Sequence, residues 1–163
     1  MRVLVVEDDK NLREQLVSAL TDAGYTVDSA ADGEEAWQLI QQQLPDLVIS
    51  DVQMPKRSGT ELCQLVKKHD TTSHIPVLLL SAWASTEHQR SGLHAQADDY
   101  LTKPIHLDLL LHKVTNLLST LEAHAIKLQH AIVSGNPEDS ARVLTKTSPQ
   151  SKPERLLNQT RQF

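Results

Sequence analysis

The sequence contains little cysteine, no long hydrophobic run and no excess of basic residues, and each absence excludes a class of protein. The single cysteine, Cys63, excludes an internal disulfide framework and a zinc site built from cysteines. The longest aliphatic runs, such as residues 77–80, are far too short to cross a bilayer, and no secretory signal opens the chain. Because 39% of the residues are hydrophobic and 23% are charged, the composition is that of a globular protein. We therefore expect a globular cytoplasmic protein that does not interact with a membrane.

The net charge of −5 argues against a nucleic acid as the default partner. The acidic excess lies in residues 1–104, which carry nine basic and 16 acidic side chains. Residues 105–134 carry two of each sign, and residues 135–163 carry five basic and three acidic side chains. Because five basic residues spread over 29 positions form no DNA-binding patch, we do not expect this segment to bind DNA directly.

Short apolar strands alternate with amphipathic helical patterns five times before residue 120. The predicted strands cover residues 3–6, 25–30, 47–49, 77–80 and 97–101. Helical patterns separate them, and the weakest of these spans about residues 85–94. Regular alternation of this kind favours a parallel sheet covered by helices on both faces. We predict an α/β fold, a flavodoxin-like (βα)5 doubly wound parallel sheet with strand order 2-1-3-4-5, followed by an extended C-terminal helix.

Helix-start signals support these boundaries. Asp9 stands where the first helix needs an N-cap residue. Asp32 with Glu35, and Ser58 with Glu61, have the spacing of a capping box at the start of the second and third helices.

The residues that follow the predicted strands carry the chemistry. In open α/β sheets, ligands bind beyond the carboxyl ends of the strands, at the point where the strand order reverses. Because strands 1 and 3 are neighbours in the predicted order, Asp8 and Asp51 should lie within a few ångströms of each other. Carboxylates this close repel one another unless a cation joins them, and hard oxygen ligands suit Mg²⁺. We therefore predict a magnesium site at this edge.

A carboxylate beside Mg²⁺ can act as a nucleophile and form an aspartyl phosphate. Lys103, just after strand 5, supplies a positive charge for phosphoryl oxygens, and Ser81, after strand 4, supplies a hydroxyl donor. A plainer interpretation is that each of these residues only caps a helix, occupies a turn or faces solvent. That interpretation suits Asp9, whereas the shared position of the others at one sheet edge favours a site.

Four sequence segments resemble the receiver domain of bacterial two-component response regulators over roughly residues 1–120. These segments are Leu4-Val5-Val6-Glu7-Asp8-Asp9, Asp46-Leu47-Val48-Ile49-Ser50-Asp51-Val52-Gln53-Met54-Pro55 with Ser58-Gly59, Leu80-Ser81-Ala82, and Ala97-Asp98-Asp99-Tyr100-Leu101-Thr102-Lys103-Pro104. Any one of them is weak evidence, but all four at their proper intervals are highly specific.

The resemblance implies that Asp51 accepts a phosphoryl group from a sensor histidine kinase or a phosphotransfer protein. It also implies an Mg²⁺ site formed by Glu7, Asp8, Asp51 and the backbone carbonyl of Gln53.

By the same resemblance, Ser81 and Lys103 hold phosphoryl oxygens, and the peptide bond between Lys103 and Pro104 is cis. Ser81 and Tyr100 would move together after phosphorylation and alter the surface that a downstream effector domain or protein recognises.

Two positions depart from the family pattern. Gln96 stands where such domains often have glycine, and a left-handed conformation there would cost glutamine about 1 kcal/mol or more. Trp83 is bulky at a position that the family places near the phosphoryl group. We hypothesise that Trp83 shields the acyl phosphate from water, the alternative being a partly buried surface tryptophan.

Apolar residues continue past the fifth strand with a 4-3-4-3 spacing, at Leu107, Leu111, Val114, Leu118, Leu121, Ala125, Leu128 and Ile132. We expect the first half of this stripe to pack on the sheet and only the second half to extend beyond it. The predicted organisation is a receiver domain over 1–120, a helical extension with a coiled-coil pattern over 121–134, and a flexible linker or tail over 135–163. Homodimerisation through the extension and a monomeric chain both remain open, since two heptads are short.

Three other functions are compatible with a sheet of this kind. A phosphohydrolase of the haloacid dehalogenase type needs a second acid two residues after its nucleophile, where this chain has Gln53. A flavin- or nucleotide-binding protein would need a Gly/Ser/Thr-rich phosphate loop in place of the acidic residues 7–9. A scaffold that never takes phosphate remains open. We favour a signalling module that is not a turnover enzyme.

Overall fold

The structure is a computed structural model that describes residues 1–82 and 96–134. Its strands are β1 (Arg2–Val6), β2 (Thr26–Ala30), β3 (Leu47–Asp51), β4 (Val77–Ser81) and β5 (Asp99–Thr102). Its helices are α1 (Lys10–Asp22), α2 (Gly33–Gln43), α3 (Gly59–Lys68) and α4 (Leu107–Ser134). The helix predicted at 85–94 and the tail predicted at 135–163 lie outside the described residues. The chain divides into two compact units, Met1–Ala123 and His124–Phe163.

The five strands form one parallel sheet in the order β2-β1-β3-β4-β5. This result confirms the predicted topology. The order reverses at β1, since the chain moves from β1 outward to β2 and then crosses back to β3. The carboxyl ends of β1 and β3 therefore lie side by side, where ligands of such sheets bind.

Apolar side chains cover both faces of the sheet. Within β1, Leu4 and Val6 belong to the cluster that packs under α2 and α3, whereas Val3 and Val5 belong to the opposite one under α1 and α4. Side chains of a strand alternate between faces, so a strand buried on both sides is mainly apolar. The two layers of helices thus explain why β1, β3 and β4 each contain a run of three or four consecutive apolar residues.

Three helices begin at the predicted cap residues. The Asp9 carboxylate accepts a hydrogen bond from the Leu12 N–H at 3.1 Å, and Ser58 Oγ accepts one from the Glu61 N–H at 3.1 Å. The Asp32 carboxylate caps α2 in the same way. These bonds satisfy N–H groups that have no partner inside the helix.

Some predicted boundaries are wrong by one or two residues. The second strand begins at 26 instead of 25, because the Tyr25 N–H donates to the Leu20 carbonyl at the end of α1. The fifth strand covers 99–102 instead of 97–101, because Asp98 uses its carboxylate to accept the Val77 N–H at 2.7 Å. Gln96 adopts a left-handed conformation with φ of 62°, the conformation that is costlier for glutamine than for the glycine often found there in the family.

The packing face of α4 also differs from the predicted stripe. Leu110, Val114 and Leu118 are buried against the sheet, whereas Leu107 is 41% exposed. The buried face therefore includes Leu110, which lies outside the predicted stripe, whereas Val114 and Leu118 belong to both. Among the described residues, no helix is both long and apolar enough to span a bilayer.

Candidate functional site

Four strand ends bring the predicted site residues to one edge of the sheet. Glu7 follows β1, Asp51 ends β3, Ser81 ends β4 and Lys103 follows β5. They line a cleft of about 330 Å³. The full lining consists of Glu7, Asp8, Asp9, Asp51, Val52, Gln53, Ser81, Ala82 and Lys103. Parallel strands all end on the same side, so the topology alone accounts for this convergence.

Glu7, Asp8 and Asp51 each offer a carboxylate oxygen, and these three oxygens lie within 4.8 Å of one another. Asp8 is exposed, whereas Glu7 is 1% exposed and Asp51 is 6% exposed. Mg²⁺ takes oxygen ligands at about 2.0–2.1 Å, so one ion can reach two oxygens of such a set directly. The hard, negatively charged donor set fits Mg²⁺ and no soft ligand is present among these residues.

The Lys103 ammonium group closes the acidic cluster on one side. Its Nζ lies 3.1 Å from Glu7 Oε2 and 3.2 Å from Asp51 Oδ2. Burial alone would lower the pKa of Lys103, but the hydrogen bond to Glu7 and the negative charge of Asp51 outweigh it and raise the pKa above its ordinary value. Lys103 therefore remains a fixed positive charge between two nearly buried carboxylates.

Glu7 is the member of the cluster whose charged form is most destabilised. Burial, followed by the negative charge of Asp51, raises the pKa of Glu7 from 4.5 to about 7. Lys103 and the Asp9 N–H both donate to its carboxylate, but they do not cancel the cost of burial. A buried carboxylate with so high a pKa indicates a site where additional positive charge would be favourable.

The backbone around Asp51 is held tightly. Ser50 Oγ donates to the Asp51 carbonyl at 2.9 Å, and Ser50 itself is fully buried. A Cβ atom added to Gly59, the first residue of α3, would lie only 2.0 Å from the same carbonyl oxygen. Glycine is therefore required where α3 meets the end of β3, a close approach that fixes the Asp51 main chain.

Lys103 and Ser81 are joined through the backbone. The Lys103 N–H donates to the Ser81 carbonyl at 2.7 Å, and the Lys103–Pro104 peptide bond is cis, the isomer that the resemblance implies. Ser81 is half-buried and lines the cleft. The Ser81 hydroxyl and the Lys103 ammonium group thus belong to adjacent positions on the two neighbouring strand ends.

Tyr100 lies on β5 and its ring packs partly against the core under α2 and α3. Its hydroxyl group is buried and has no hydrogen-bond partner among the described residues. Burial raises the pKa of Tyr100 to about 12, and the charge of Asp98 acts in the same direction. The Tyr100 side chain is therefore held by packing, with no partner for its hydroxyl in the described part of the chain.

Gln53 lies apart from the buried members of the site. Gln53 is exposed at the rim of the cleft, where its backbone rather than its side chain was predicted to act. Trp83 lies outside the described residues, so its predicted role stays a prediction.

Sequence reasoning missed several contacts that shape the site. It did not foresee that Glu7 pairs with Lys103, nor that the Arg13 guanidinium donates to the Glu7 carbonyl at 2.8 Å. It also missed the two ion pairs that tie the chain after β3 to the start of α2, although basic residues 56 and 57 and acidic residues 32 and 34 are a visible signal of opposite charge.

Comparison with known proteins identifies the same region of the chain. The sequence model of the response regulator receiver domain matches residues 3–115. Response regulator MprA of Mycolicibacterium vanbaalenii is 43% identical over 118 residues, which cover 72% of this chain and 50% of that protein. The chain thus spans about half the length of the curated relatives it matches.

Solved structures are similar in fold. A response regulator from Chloroflexus aurantiacus superposes with a TM-score of 0.70 at 41% identity, covering 72% of this chain and 97% of that one. The chemotaxis response regulator CheY4 of Vibrio cholerae gives a TM-score of 0.68 at 34% identity, covering 71% of this chain and 97% of that one.

Proposed function

This chain belongs to the response regulator receiver domain family, and on that basis we propose that it is a signalling module switched by phosphorylation of Asp51. Receiver domains are signalling modules of two-component systems. The observation that carries the proposal is the convergence of Glu7, Asp8 and Asp51 within 4.8 Å, with Lys103 in contact with two of them. A nucleophilic carboxylate, a cation site and a fixed positive charge are the parts that phosphoryl transfer requires.

In the proposed reaction, an Asp51 carboxylate oxygen attacks the phosphorus atom of a phosphohistidine on a partner kinase or phosphotransfer protein. A phosphorus–oxygen bond forms, the phosphorus–nitrogen bond breaks, and its electron pair stays with the departing imidazole. A bound Mg²⁺ would be held by Asp8, Asp51 and the Gln53 carbonyl, with Glu7 nearby, and would neutralise negative charge on the phosphoryl oxygens. The chain's own task is to position these groups.

Lys103 and Ser81 are proposed to bind the phosphoryl oxygens. The Lys103 ammonium group contacts Glu7 and Asp51 at 3.1 and 3.2 Å, close enough to exchange one carboxylate for a phosphoryl oxygen without a large movement. Charge-assisted hydrogen bonds of this kind are about twice as strong as neutral ones. Trp83 remains the predicted shield against water.

The proposed output is a change in the surface around Ser81 and Tyr100 that a downstream effector domain or protein recognises. The Tyr100 ring is half-buried against the core and its hydroxyl has no hydrogen-bond partner among the described residues, so within that part of the chain its position rests on packing. A side chain held in this way is easily biased by a new contact at Ser81.

A small phosphodonor such as acetyl phosphate, added with MgCl₂, tests the proposal by intact-mass measurement. We expect a mass increase of one phosphoryl group that disappears without Mg²⁺ and in Asp51→Asn. Asp22→Asn, which alters an exposed carboxylate at the end of α1, is the matched control and should be phosphorylated like the parent. Failure of the parent chain to gain an Asp51-dependent adduct would favour a scaffold that takes no phosphate.

A further inference from the structure

The segment between β3 and α3, residues 52–58, connects the candidate metal site to the start of α2. At one end it contributes Val52 and Gln53 to the cleft. At the other end Lys56 Nζ lies 3.3 Å from Asp32 Oδ2, and Arg57 Nη2 lies 2.7 Å from Glu34 Oε1. We call residues 52–58 the β3–α3 loop.

The contact between this loop and α2 is also tight in its backbone. A Cβ atom added to Gly33, the first residue of α2, would lie 2.4 Å from the Arg57 carbonyl oxygen and 2.6 Å from the Arg57 Cβ. No side chain fits at that position without displacing the loop. The two ion pairs therefore close an interface that is already packed, which limits the ways in which their side chains can rearrange.

Two features of the loop are unfavourable on their own. Lys56 has φ of 66°, a left-handed conformation that lysine rarely adopts. Arg57 Nε is buried and has no hydrogen-bond partner among the described residues. Unfavourable backbone and buried polar groups persist only where surrounding contacts hold them. Among the described residues, the side-chain contacts that hold Lys56 and Arg57 are the pairs with Asp32 and Glu34. Hydrogen bonds from the Arg57 N–H to the Pro55 carbonyl and from the Gly59 N–H to the Val52 carbonyl support the loop backbone.

We propose that the Lys56–Asp32 and Arg57–Glu34 pairs form a positioning clamp that holds the β3–α3 loop and thereby sets the affinity of the site for Mg²⁺. The proposal rests on the proposed function, because the loop carries the Gln53 carbonyl assigned to the metal. Arg57 and Glu34 act through the loop and are not ligands themselves. Their effect is on the position of the Gln53 carbonyl relative to Asp8 and Asp51.

The effect of charge-reversing variants on Mg²⁺ affinity distinguishes this clamp from simple long-range electrostatics. Arg57→Glu makes the surroundings of the acidic site more negative, which by charge alone would strengthen Mg²⁺ binding. Glu34→Arg would by charge alone weaken it. A clamp predicts that both single variants weaken binding, because each places two like charges at a 2.7 Å contact.

The experiment is a titration of the ¹⁵N-labelled chain with MgCl₂, followed through the NMR amide signals of Val52 and Gln53. The variants are Arg57→Glu, Glu34→Arg and the double exchange, which combines both substitutions and so restores an opposite-charge pair with its polarity reversed. Lys68→Glu, which makes the same charge change on an exposed position of α3, is the matched control. Asp51→Asn shows which part of the change in the amide signals comes from Mg²⁺ binding at the candidate site. Urea unfolding of each variant in EDTA shows whether the substitution lowers the stability of the whole fold.

We expect each single variant to weaken Mg²⁺ binding by about threefold to fivefold and the double exchange to restore it, since partly exposed ion pairs have effects of that size. Lys68→Glu should leave binding at the parent value or slightly strengthen it. Tighter binding by Arg57→Glu, or no recovery in the double exchange, would overturn the clamp alone. Absence of Asp51-dependent Mg²⁺ binding in the parent chain would overturn the proposed function and the clamp with it.

Discussion

Glu7 gives the metal-free protein a stability that depends on pH. Its side chain is 1% exposed, and burial and the charge of Asp51 raise its pKa from 4.5 to about 7. Between these two values the folded protein binds more protons than the unfolded chain, so the free energy of unfolding falls as the pH rises from 4.5 through 7. Since one pKa unit corresponds to about 1.4 kcal/mol, the contribution lost over this interval is about 3 kcal/mol.

We expect Glu7→Gln to remove this dependence, because glutamine stays neutral and its amide oxygen can still accept a hydrogen bond from Lys103. Urea unfolding in EDTA near pH 4.5 and near pH 8 measures it. The parent should lose about 3 kcal/mol more than the variant over this interval. Addition of MgCl₂ near pH 8 should stabilise the parent, because the ion binds the folded chain.

Glu14→Gln is the control for this experiment. The Glu14 side chain is 65% exposed and its pair with Lys10 is long, at 3.9 Å, so its replacement should leave the pH dependence of the parent intact. An equal loss of stability in the parent and in Glu7→Gln would refute the reasoning, because it would show that the Glu7 carboxylate is not destabilised in the folded protein.

Four further outcomes are expected. Gly59→Ala should lower the free energy of unfolding by about 1–3 kcal/mol, whereas Thr60→Ala on the same helical turn should cost less than about 1 kcal/mol, as urea unfolding of both variants will show. Tyr100→Phe should leave stability unchanged or raise it by up to about 1 kcal/mol, since the buried hydroxyl has no described partner; a clear loss would contradict that account. Trp83→Ala should speed the decay of phosphorylated chain measured by intact mass, and an unchanged rate would remove the shield hypothesis. Sedimentation of the parent and of a chain that ends at residue 120 decides the open question of dimerisation: a dimer that is lost on truncation would support pairing through residues 121–134, and a monomeric parent would exclude it.

The topology and the meeting of the acidic residues could be predicted because they follow from chain-wide patterns. Apolar runs alternate with amphipathic helices, and in a parallel sheet of this order the residues after β1 and β3 must meet. Asp8 and Asp51 are therefore close for a reason that is visible in the sequence. The caps at Asp9 and Ser58 were equally accessible, since they depend on a few neighbouring residues.

Other contacts could not be predicted because they depend on which groups share a buried space. The Lys103–Glu7 pair joins residues 96 positions apart, and no spacing rule indicates it. The exposure of Leu107 depends on how α4 turns against the sheet, which a heptad pattern does not describe. The close contact of Gly59 with the Asp51 carbonyl depends on main-chain distances that only coordinates provide.

A crystal structure of the chain grown with MnCl₂ in place of magnesium tests the central claim most directly, because Mn²⁺ prefers the same oxygen ligands and is located by anomalous scattering. We predict one ion bound by the carboxylates of Asp8 and Asp51 and the Gln53 carbonyl, with Lys103 on the opposite side of Asp51. An ion bound elsewhere, or a cleft that stays empty at saturating Mn²⁺, would contradict the account.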